Sequence, residues 1–245
     1  MIDLSSFNQP VRAAVIGASG GIGTAFVQHL QECEQVESIC TFSRSKTTFS
    51  HPKVRNYQID ILDEDTIESA AKSVKTPLNL ILVTTGILHE EAISPEKALK
   101  DLSLQNFEKI FAVNTFGPAL IAKHFLPLIP KTERSVFAAL SARVGSIEDN
   151  HLGGWYSYRA SKAALNMIIK NTSIEISRRY KEACIIGLHP GTVDTKLSEP
   201  FQGNVEESKL FAPAYATEQM LKVVNSVQPS QSGKIFAYDG EVIPY

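Results

Sequence analysis

The chain has 245 residues, 43% of them hydrophobic, and its 24 Lys and Arg nearly balance its 26 Asp and Glu, for a formal charge of -2. This balance supplies no basic field, so neither nucleic acid nor a membrane is expected as a partner. Three cysteines without a Cys/His cluster exclude a disulfide framework and a structural zinc site, and no metal is expected. The N-terminus lacks a signal-peptide pattern and no apolar run is long enough to span a bilayer, which predicts a cytoplasmic protein.

Short apolar runs alternate with segments of helical period, which predicts an α/β chain with one dinucleotide-binding domain over residues 1–245. The predicted strands cover residues 13–16, 38–42, 54–58, 80–84, 136–140, 185–188 and 235–238. The predicted helices cover residues 22–33, 67–73, 107–128, 157–180 and 214–225. Because parallel neighbours need crossover helices, this order predicts a doubly wound Rossmann fold with a seven-stranded parallel sheet flanked by helices. The irregular segment 197–211 is expected to form a flap over the substrate site.

Closely spaced glycines follow the first predicted strand and open the first predicted helix. A pyrophosphate could approach the backbone there and lie at the positive end of the helix dipole. The alternative is a tight turn without a ligand, and the G-x-x-x-G-x-G spacing differs from the usual G-x-G-x-x-G. The residues predicted to contact the cofactor are Gly17, Ser19, Gly20, Gly21, Ile22 and Gly23.

The end of the second predicted strand bears on the choice of dinucleotide. An acidic residue there would bind the ribose 2′-hydroxyl of NAD, but this chain has Ser43 and Arg44. Arg44 can pair with a 2′-phosphate and Ser43 can donate a hydrogen bond to it, so NADP(H) is the expected cofactor and NAD(H) the second choice. The alternative for Arg44 is a solvated surface arginine.

Tyr158 and Lys162 lie four residues apart in a predicted helix and therefore share a face. An ammonium group beside a tyrosine favours the phenolate and brings its pKa toward the range of acid–base catalysis. The alternative is an ordinary exposed Tyr and Lys pair, but the combination with the glycine turn favours a catalytic site.

Five motifs in this order resemble the short-chain dehydrogenase/reductase family over nearly the whole chain. They are the glycine segment 17–23, Asn114 in Ala-Val-Asn-Thr, Ser141 after the strand 136–140, Tyr158-Arg-Ala-Ser-Lys162, and His-Pro-Gly-Thr-Val-Asp-Thr at 189–195. Segments 152–162 and 239–245 look most like the subgroup that contains the bacterial C-factor and related carbonyl reductases.

The resemblance implies reduction of a ketone or aldehyde to an alcohol by hydride transfer from the nicotinamide, with four catalytic residues. Tyr158 would be the general acid, or the base in the reverse direction. Ser141 would hydrogen-bond the carbonyl oxygen. Lys162 would bind the nicotinamide ribose while lowering the pKa of Tyr158. Asn114, in the middle of a helix, would hold a water that links Lys162 to solvent.

The resemblance also implies cofactor contacts elsewhere in the chain. The sequence departs from the family pattern at two places, described below. Asp60 would contact the adenine, although it could instead be a turn or cap acid before a helix start. The family's Asn-x-Ala-Gly is replaced at 83–86 by Val-Thr-Thr-Gly, where a threonine hydroxyl is expected to replace the lost bond. Ser141 and Tyr158 are also 17 positions apart, slightly more than usual, which places the extra residues in the loop 147–155. The further residues implied in cofactor binding are Ile61, Thr85, Gly86, Tyr158, Lys162, Pro190, Gly191, Val193 and Thr195.

The substrate pocket is expected to be mostly apolar, which suggests a hydrophobic or aromatic carbonyl. Arg143 could face an acidic substrate or a partner subunit, or form a surface salt bridge. His189 is expected to be a hydrogen-bonded structural histidine. Family members usually pair through the helices around Phe107 and Tyr158 or along the last strand, which implies a homodimer or homotetramer. The predicted substrate-site residues are Leu88, Arg143, Val144, Trp155, Leu197 and Phe201.

Two other functions are compatible with a dinucleotide site. One is an NADP(H)-binding regulatory or signalling protein with little turnover, but the complete set of four catalytic residues argues against lost chemistry. The other is an epimerase or dehydratase, which would normally need a larger substrate domain.

Overall fold

The computed structural model describes residues 2–90 and 93–245, without the side chains of Asn204 and Glu207. Within these ranges the strands are β1 Val11–Ile16, β2 Val36–Ser43, β3 Val54–Gln58, β4 Leu80–Val83, β5 Ser135–Leu140, β6 Ala183–His189, β7 Thr192–Val193, β8 Leu210–Phe211, β9 Ile235–Ala237 and β10 Val242–Ile243. The α-helices are α1 Gly21–Glu32, α2 Glu64–Ser73, α3 Leu104–Phe111, α4 Gly117–Phe125, α5 Tyr156–Ile176 and α6 Pro213–Ser226. A π-helix, Ala112–Phe116, joins α3 to α4.

Eight strands of the described residues form one sheet in the order β10-β9-β6-β5-β4-β1-β2-β3. Every neighbouring pair is parallel except β9 and β10. The predicted doubly wound fold is confirmed, but the expected seven-stranded parallel sheet gains an eighth, antiparallel strand. This strand has only two residues and follows the turn at Gly240, so it is too short to produce a pattern in the sequence.

The sheet is covered on both faces because successive side chains of its inner strands enter two different cores. In β1, Ala13 and Val15 pack against α1 and α6, whereas Ala14 and Ile16 pack against α2, α4 and α5. Burial on both faces explains why the inner strands are continuous apolar runs rather than alternating ones.

The predicted helix 107–128 is divided in the structure. The chain turns through α3, the π-helix and α4, and ends in the 3-10 turn Leu126–Leu128. The predicted helix 67–73 begins earlier, at Glu64, because the Asp63 carboxylate caps it by accepting a hydrogen bond from the Asp65 N–H. Helix α5 ends at Ile176, four residues before the predicted end.

The strand order reverses between β1 and β4, which opens a crevice at the carboxyl ends of the strands. The glycine turn, Ser43, Thr84 and Ser141 each directly follow or end one of these strands. Strands β7 and β8 pair in a separate small sheet that brackets most of the segment 197–211. Among the described helices, none combines the length and apolar character needed to cross a membrane.

Candidate active site

The glycine turn between β1 and α1 is held tightly against the ends of β2 and β4. The N–H groups of Gly17 and Ala18 both donate to the Phe42 carbonyl oxygen, at 2.8 and 3.1 Å. Gly17 has φ +89°, and a Cβ on Gly23 would lie only 2.2 Å from the Gly17 carbonyl oxygen. Side chains at these positions would push the turn away from the strand ends, so the sequence needs glycine to make this close approach.

Thr84 follows Val83, which stands where the family pattern has an asparagine after β4. Its hydroxyl lies 2.8 Å from the Ile16 carbonyl oxygen and 3.1 Å from that of Gly17, and so joins β4 to the glycine turn. The neighbouring Thr85 hydroxyl is buried and has no hydrogen-bond partner among the described residues.

A cavity of about 230 Å³ runs from the glycine turn to the ends of β2, β3 and β4. Gly20 caps α1 without a side-chain hydrogen bond from the described residues, so the first N–H groups of the helix remain available to an anion. The glycine cradle, this helix end and the unpartnered Thr85 hydroxyl fit a nicotinamide dinucleotide. The predicted cofactor residues that line the cavity are Gly17, Ser19, Gly20, Ser43, Arg44, Asp60, Ile61, Thr85 and Gly86.

Two predicted cofactor residues, Ser43 and Arg44, lie at the end of β2 but differ in exposure. The exposed Arg44 lines both the cavity and an adjoining groove of about 530 Å³. Ser43 is buried, and its hydroxyl donates to the Ser45 carbonyl oxygen at 2.6 Å, so in this structure its hydroxyl proton is used within its own turn. Asp60 accepts a hydrogen bond from the Leu62 N–H at 3.0 Å, which is the turn role that the sequence left open for it.

The remaining predicted cofactor residues do not line the cavity. Ile22 is in the first turn of α1 and packs against the core. Thr195 lies opposite Gly21, where an added Cβ would be 3.0 Å from its Cγ2 atom. Pro190 and Gly191 join β6 to β7, and Val193 is buried in β7.

Tyr158 and Lys162 occupy successive turns of α5 and are almost completely buried, with exposed fractions of 8% and 3%. Lys162 Nζ lies 5.8 Å from the centroid of the Tyr158 ring and donates to the Leu140 carbonyl oxygen at 2.8 Å. A Cβ on Gly86 would lie 3.6 Å from the same Nζ, which places the ammonium beside the loop after β4 that lines the cavity.

Burial controls the protonation of both side chains. It raises the pKa of Tyr158 to about 12 and lowers the pKa of Lys162 to about 8. We expected Lys162 to lower the pKa of Tyr158, but the loss of hydration outweighs the effect of the neighbouring ammonium. At neutral pH the site therefore holds a protonated phenol beside a cation.

Asn114 lies in the π-helix, and its side chain forms hydrogen bonds both to the loop after β4 and to α5. Its Oδ1 accepts from the Ile87 N–H at 2.8 Å, and its Nδ2 donates to the Ile87 carbonyl oxygen at 2.9 Å and to Ser161 Oγ at 3.2 Å. Ser161 Oγ in turn donates to the Tyr158 carbonyl oxygen at 2.7 Å. A π-helix commonly marks a functional position, and here it turns the buried amide toward the active-site strands.

Ser141 follows β5 and has a partner that the sequence analysis missed. Its N–H donates to the Leu188 carbonyl oxygen at 2.8 Å, and its hydroxyl donates to Asn166 Oδ1 at 2.6 Å. Asn166 stands four residues after Lys162 and eight after Tyr158, so this spacing was the signal that could have revealed it.

An apolar cluster surrounds Tyr158 and is separate from the two cores. The Trp155 ring packs edge-on against Phe201 at 5.1 Å and against Tyr158 at 6.2 Å between centroids. Phe201, from the segment 197–211, also contacts the His89 ring at 5.6 Å. The structure thus brings together five of the six predicted substrate-site residues: Leu88, Val144, Trp155, Leu197 and Phe201.

The sixth, Arg143, points to a different place. Its guanidinium pairs with Asp149 at 3.4 Å and with Glu241, so it ties the loop after Ser141 to the C-terminal segment. This is the salt bridge that the sequence left open for it.

His189 lies behind the loop at Pro190. Burial lowers its pKa to about 4, so it is neutral at physiological pH. Its Nδ1 has no partner among the described residues, unlike the hydrogen-bonded histidine that the sequence predicted. No group of three or more metal-ligating side chains occurs within the described ranges.

Comparison with known proteins assigns the family. A family model described as short chain dehydrogenase matches residues 12–206. The chain belongs to the short-chain dehydrogenase/reductase family. As a member of this family it is an oxidoreductase that uses a nicotinamide cofactor.

Similar members of the short-chain dehydrogenase/reductase family include carbonyl reductases. The NADPH-bound carbonyl reductase from chicken fatty liver superposes with a TM-score of 0.83 at 26% identity, covering 97% of this chain and 100% of that one. Benzil reductase ((S)-benzoin forming) of Bacillus subtilis is 28% identical over 247 residues, 91% of this chain and 96% of that protein. C-signal of Myxococcus xanthus is 32% identical over 148 residues, 60% of this chain and 84% of that protein.

Proposed function

We propose that this protein is an NADP(H)-dependent carbonyl reductase that converts a ketone or aldehyde to an alcohol, with Tyr158 as the general acid. The observation that carries the proposal is the position of Lys162 Nζ. It lies 5.8 Å from the centroid of the Tyr158 ring, donates to the carbonyl oxygen of Leu140 next to Ser141, and lies beside Gly86, which lines the cavity of the glycine turn. The carbonyl reductases among its structural and sequence relatives support the same reaction class.

The residues act on the carbonyl oxygen while the bound nicotinamide supplies a hydride to the carbonyl carbon. The Tyr158 hydroxyl gives its proton to that oxygen, which completes the alcohol. Ser141 holds the same oxygen in place, an orienting and electrostatic contribution. Lys162 would bind the nicotinamide ribose with its ammonium group, and Asn114 would hold a water that links Lys162 to solvent, through which the proton of Tyr158 would be restored.

Charge at the end of β2 supports a preference for NADP(H) over NAD(H). Arg44 is exposed at the rim of the cavity, where its guanidinium can pair with a 2′-phosphate. The first three positions after β2 are Arg44, Ser45 and Lys46, so no carboxylate there would repel the phosphate.

The apolar cluster supports a substrate with hydrophobic or aromatic groups on its carbonyl. Trp155 and Phe201 present ring edges beside Tyr158, and Leu88 and Val144 complete an apolar wall. We assign the segment 197–211 as the flap of this pocket within one catalytic domain, because Phe201 closes the cluster from that segment.

An exposed apolar face supports self-association as a dimer or tetramer. Leu104 and Phe116 beside α5 are 73% and 56% exposed, and Met167 on α5 is 60% exposed. The rings of Phe111 and Phe116 also pack against each other there at a tilt of 58°, with 6.2 Å between centroids. A second copy of the chain is the proposed partner of this face.

The experiment that tests the proposed function compares Tyr158→Phe with Tyr156→Phe. Oxidation of NADPH is followed with a panel of aryl ketones, diketones and aldehydes, and NADPH binding is measured by fluorescence. Tyr158→Phe should bind NADPH normally and lose at least about 100-fold in kcat, since only the proton donor is removed. Tyr156→Phe controls for the loss of a neighbouring hydroxyl and should retain turnover.

Two results would contradict the proposal. Turnover of Tyr158→Phe near the wild-type rate would remove Tyr158 from the reaction. A wild-type protein that binds NADPH and reduces none of the carbonyls would instead be the regulatory protein considered above.

A further inference from the structure

Ser141 is not free to turn in this site, because its hydroxyl is bonded to the Asn166 amide. The distance from Ser141 Oγ to Asn166 Oδ1 is 2.6 Å, and both side chains are buried, with exposed fractions of 3% and 4%. A hydrogen bond away from water holds its partners more firmly than one on the surface. The amide therefore fixes the rotamer of the serine.

Asn166 lies on the same stripe of α5 as the proposed acid and the proposed cation. Tyr158, Lys162 and Asn166 follow one another at intervals of four residues, so successive turns carry the three side chains. The stripe faces the loop after Ser141, because a Cβ on Gly145 would lie only 2.7 Å from Lys162 Cβ. Asn166 Nδ2 also points at the Gly145 carbonyl oxygen, at 3.5 Å.

We propose that Asn166 is a positioning residue for the carbonyl reduction, acting through Ser141. This inference rests on the proposed function, in which the Ser141 hydroxyl binds the carbonyl oxygen opposite Tyr158. By fixing Ser141 Oγ, Asn166 sets where that oxygen lies relative to the Tyr158 proton.

The chemistry of an amide explains why asparagine suits this position. Ser141 has a single hydroxyl proton, and in the free protein Asn166 Oδ1 accepts it. A bound carbonyl needs that proton. When the amide turns over, Nδ2 donates to Ser141 Oγ, and the serine proton is released toward the substrate. The long contact of 3.5 Å to Gly145 is the only bond given up on the other side of the amide among the described residues.

A side chain at position 166 that accepts a hydrogen bond but cannot donate one would hold the Ser141 hydroxyl proton and keep it from the substrate. Asn166→Asp retains the size of the side chain and the bond that accepts from Ser141, but an ionised carboxylate cannot donate back. Asn166→Leu retains the size and removes both. Comparison of the two variants therefore distinguishes the effect of holding Ser141 in one rotamer from the effect of releasing its hydroxyl proton.

The test is a double-mutant cycle with Ser141→Ala, measured at saturating NADPH with the best carbonyl of the panel. Asn166→Leu should lower kcat by about three- to tenfold, as expected for loss of one buried hydrogen bond, with less than about a twofold change in the KM for NADPH. Asn166→Asp should lower kcat at least as much. In the Ser141→Ala background either substitution should change kcat by less than about twofold, because the serine through which it acts is gone.

Asn79 supplies a matched control, because it is a buried asparagine outside the active site. It lies just before β4, at the opposite end of the strands, and bonds the Arg12 N–H and Glu133. Any effect of Asn79→Leu on kcat should be the same with and without Ser141→Ala.

A second readout does not depend on turnover. Crystal structures should show Ser141 Oγ in one rotamer in the wild type and in Asn166→Asp, and in more than one rotamer in Asn166→Leu. If Asn166→Leu does not fold, Asn166→Ala takes its place in both measurements.

Each outcome bears on a different claim. An Asn166 effect that is equally large in the Ser141→Ala background, or a single unchanged Ser141 rotamer in Asn166→Leu, would overturn the positioning role. Wild-type turnover in Ser141→Ala and Tyr158→Phe would instead overturn the proposed function itself.

Discussion

Burial shifts the pKa values of Tyr158 and Lys162 in opposite directions. Loss of hydration disfavours the charged form of each group, so Tyr158 holds its proton to high pH while Lys162 releases its proton near pH 8. The proposed carbonyl reduction uses the protonated phenol and the cation. The free enzyme therefore has the required form below pH 8 and loses it as the pH rises, because the lysine deprotonates first.

We predict that kcat/KM for reduction is level from pH 6 to pH 7.5 and falls above the pKa of Lys162 at about 8, approaching about tenfold per pH unit. Steady-state rates across this range measure the profile. In Lys162→Arg the decline should move to higher pH, since guanidinium stays charged, whereas Lys170→Arg on the same helix should keep the wild-type profile. A decline at the same pH in Lys162→Arg would contradict the assignment.

Arg44 determines cofactor choice by its charge in our proposal. Arg44→Ser should raise the KM for NADPH by about tenfold or more, the effect of losing a charge-assisted hydrogen bond, and should leave the KM for NADH within about twofold. The measurement is steady-state kinetics with both cofactors. Arg55→Ser, at another exposed arginine on β3, is the control and should change neither constant. An equal rise for NADPH and NADH in Arg44→Ser would rule out recognition of the 2′-phosphate.

At the scale of elements, the start of α5 matters most, because this helix carries Tyr158, Lys162 and Asn166. Its N-cap, Trp155, has the uncommon φ of +49° and forms no side-chain cap. The buried Glu96, from a loop far away in the sequence, accepts the hydrogen bonds of the helix start instead. Its carboxylate accepts from the Ser157 N–H at 3.1 Å, and its carbonyl oxygen accepts from the Trp155 N–H at 2.6 Å.

Glu96→Ala is expected to lower the free energy of unfolding by about 1–2 kcal/mol, the usual cost of a lost helix cap. It should also lower kcat by about five- to tenfold, because the first turn of α5 positions the proton donor. Urea unfolding and steady-state kinetics measure the two effects.

The control for this prediction is Asp63→Ala, which removes the cap of α2. That helix carries none of the proposed catalytic residues, so the variant should lose a similar amount of stability and keep its kcat. Glu96→Gln retains an acceptor and should fall between Glu96→Ala and the wild type. Equal kcat in Glu96→Ala and Asp63→Ala would show that the cap has no special role at the active site.

At the scale of the whole molecule, the sheet is where sequence-based prediction succeeded most fully. Each central strand is an apolar run because both faces of the sheet are covered. Each is followed by a turn or by a residue with a proposed catalytic or cofactor-binding role. The sequence alone thus places the glycine turn, Ser141 and Pro190 at the carboxyl ends of strands. The short β7, β8 and β10 were missed because a two-residue strand has no period.

The helices were predicted less accurately, for physical reasons at particular residues. The apolar pattern of 107–128 continues through the π-helix without interruption, since a single wide turn hardly changes which side chains are buried. The cap at Trp155 is supplied by Glu96, some 60 residues away, and local sequence contains no trace of such a contact.

The sequence by itself determined the family, the doubly wound fold and the identity of the proposed catalytic residues, because these depend on residue types at fixed short spacings. Only the tertiary structure decided what those residues touch. It alone gave Ser141 its partner Asn166, directed Arg143 to Asp149 and Glu241, and set the pKa values of Tyr158 and Lys162 by burial. Hydrogen-bond geometry and loss of hydration arise from atoms brought together from distant parts of the chain, and no local pattern encodes them.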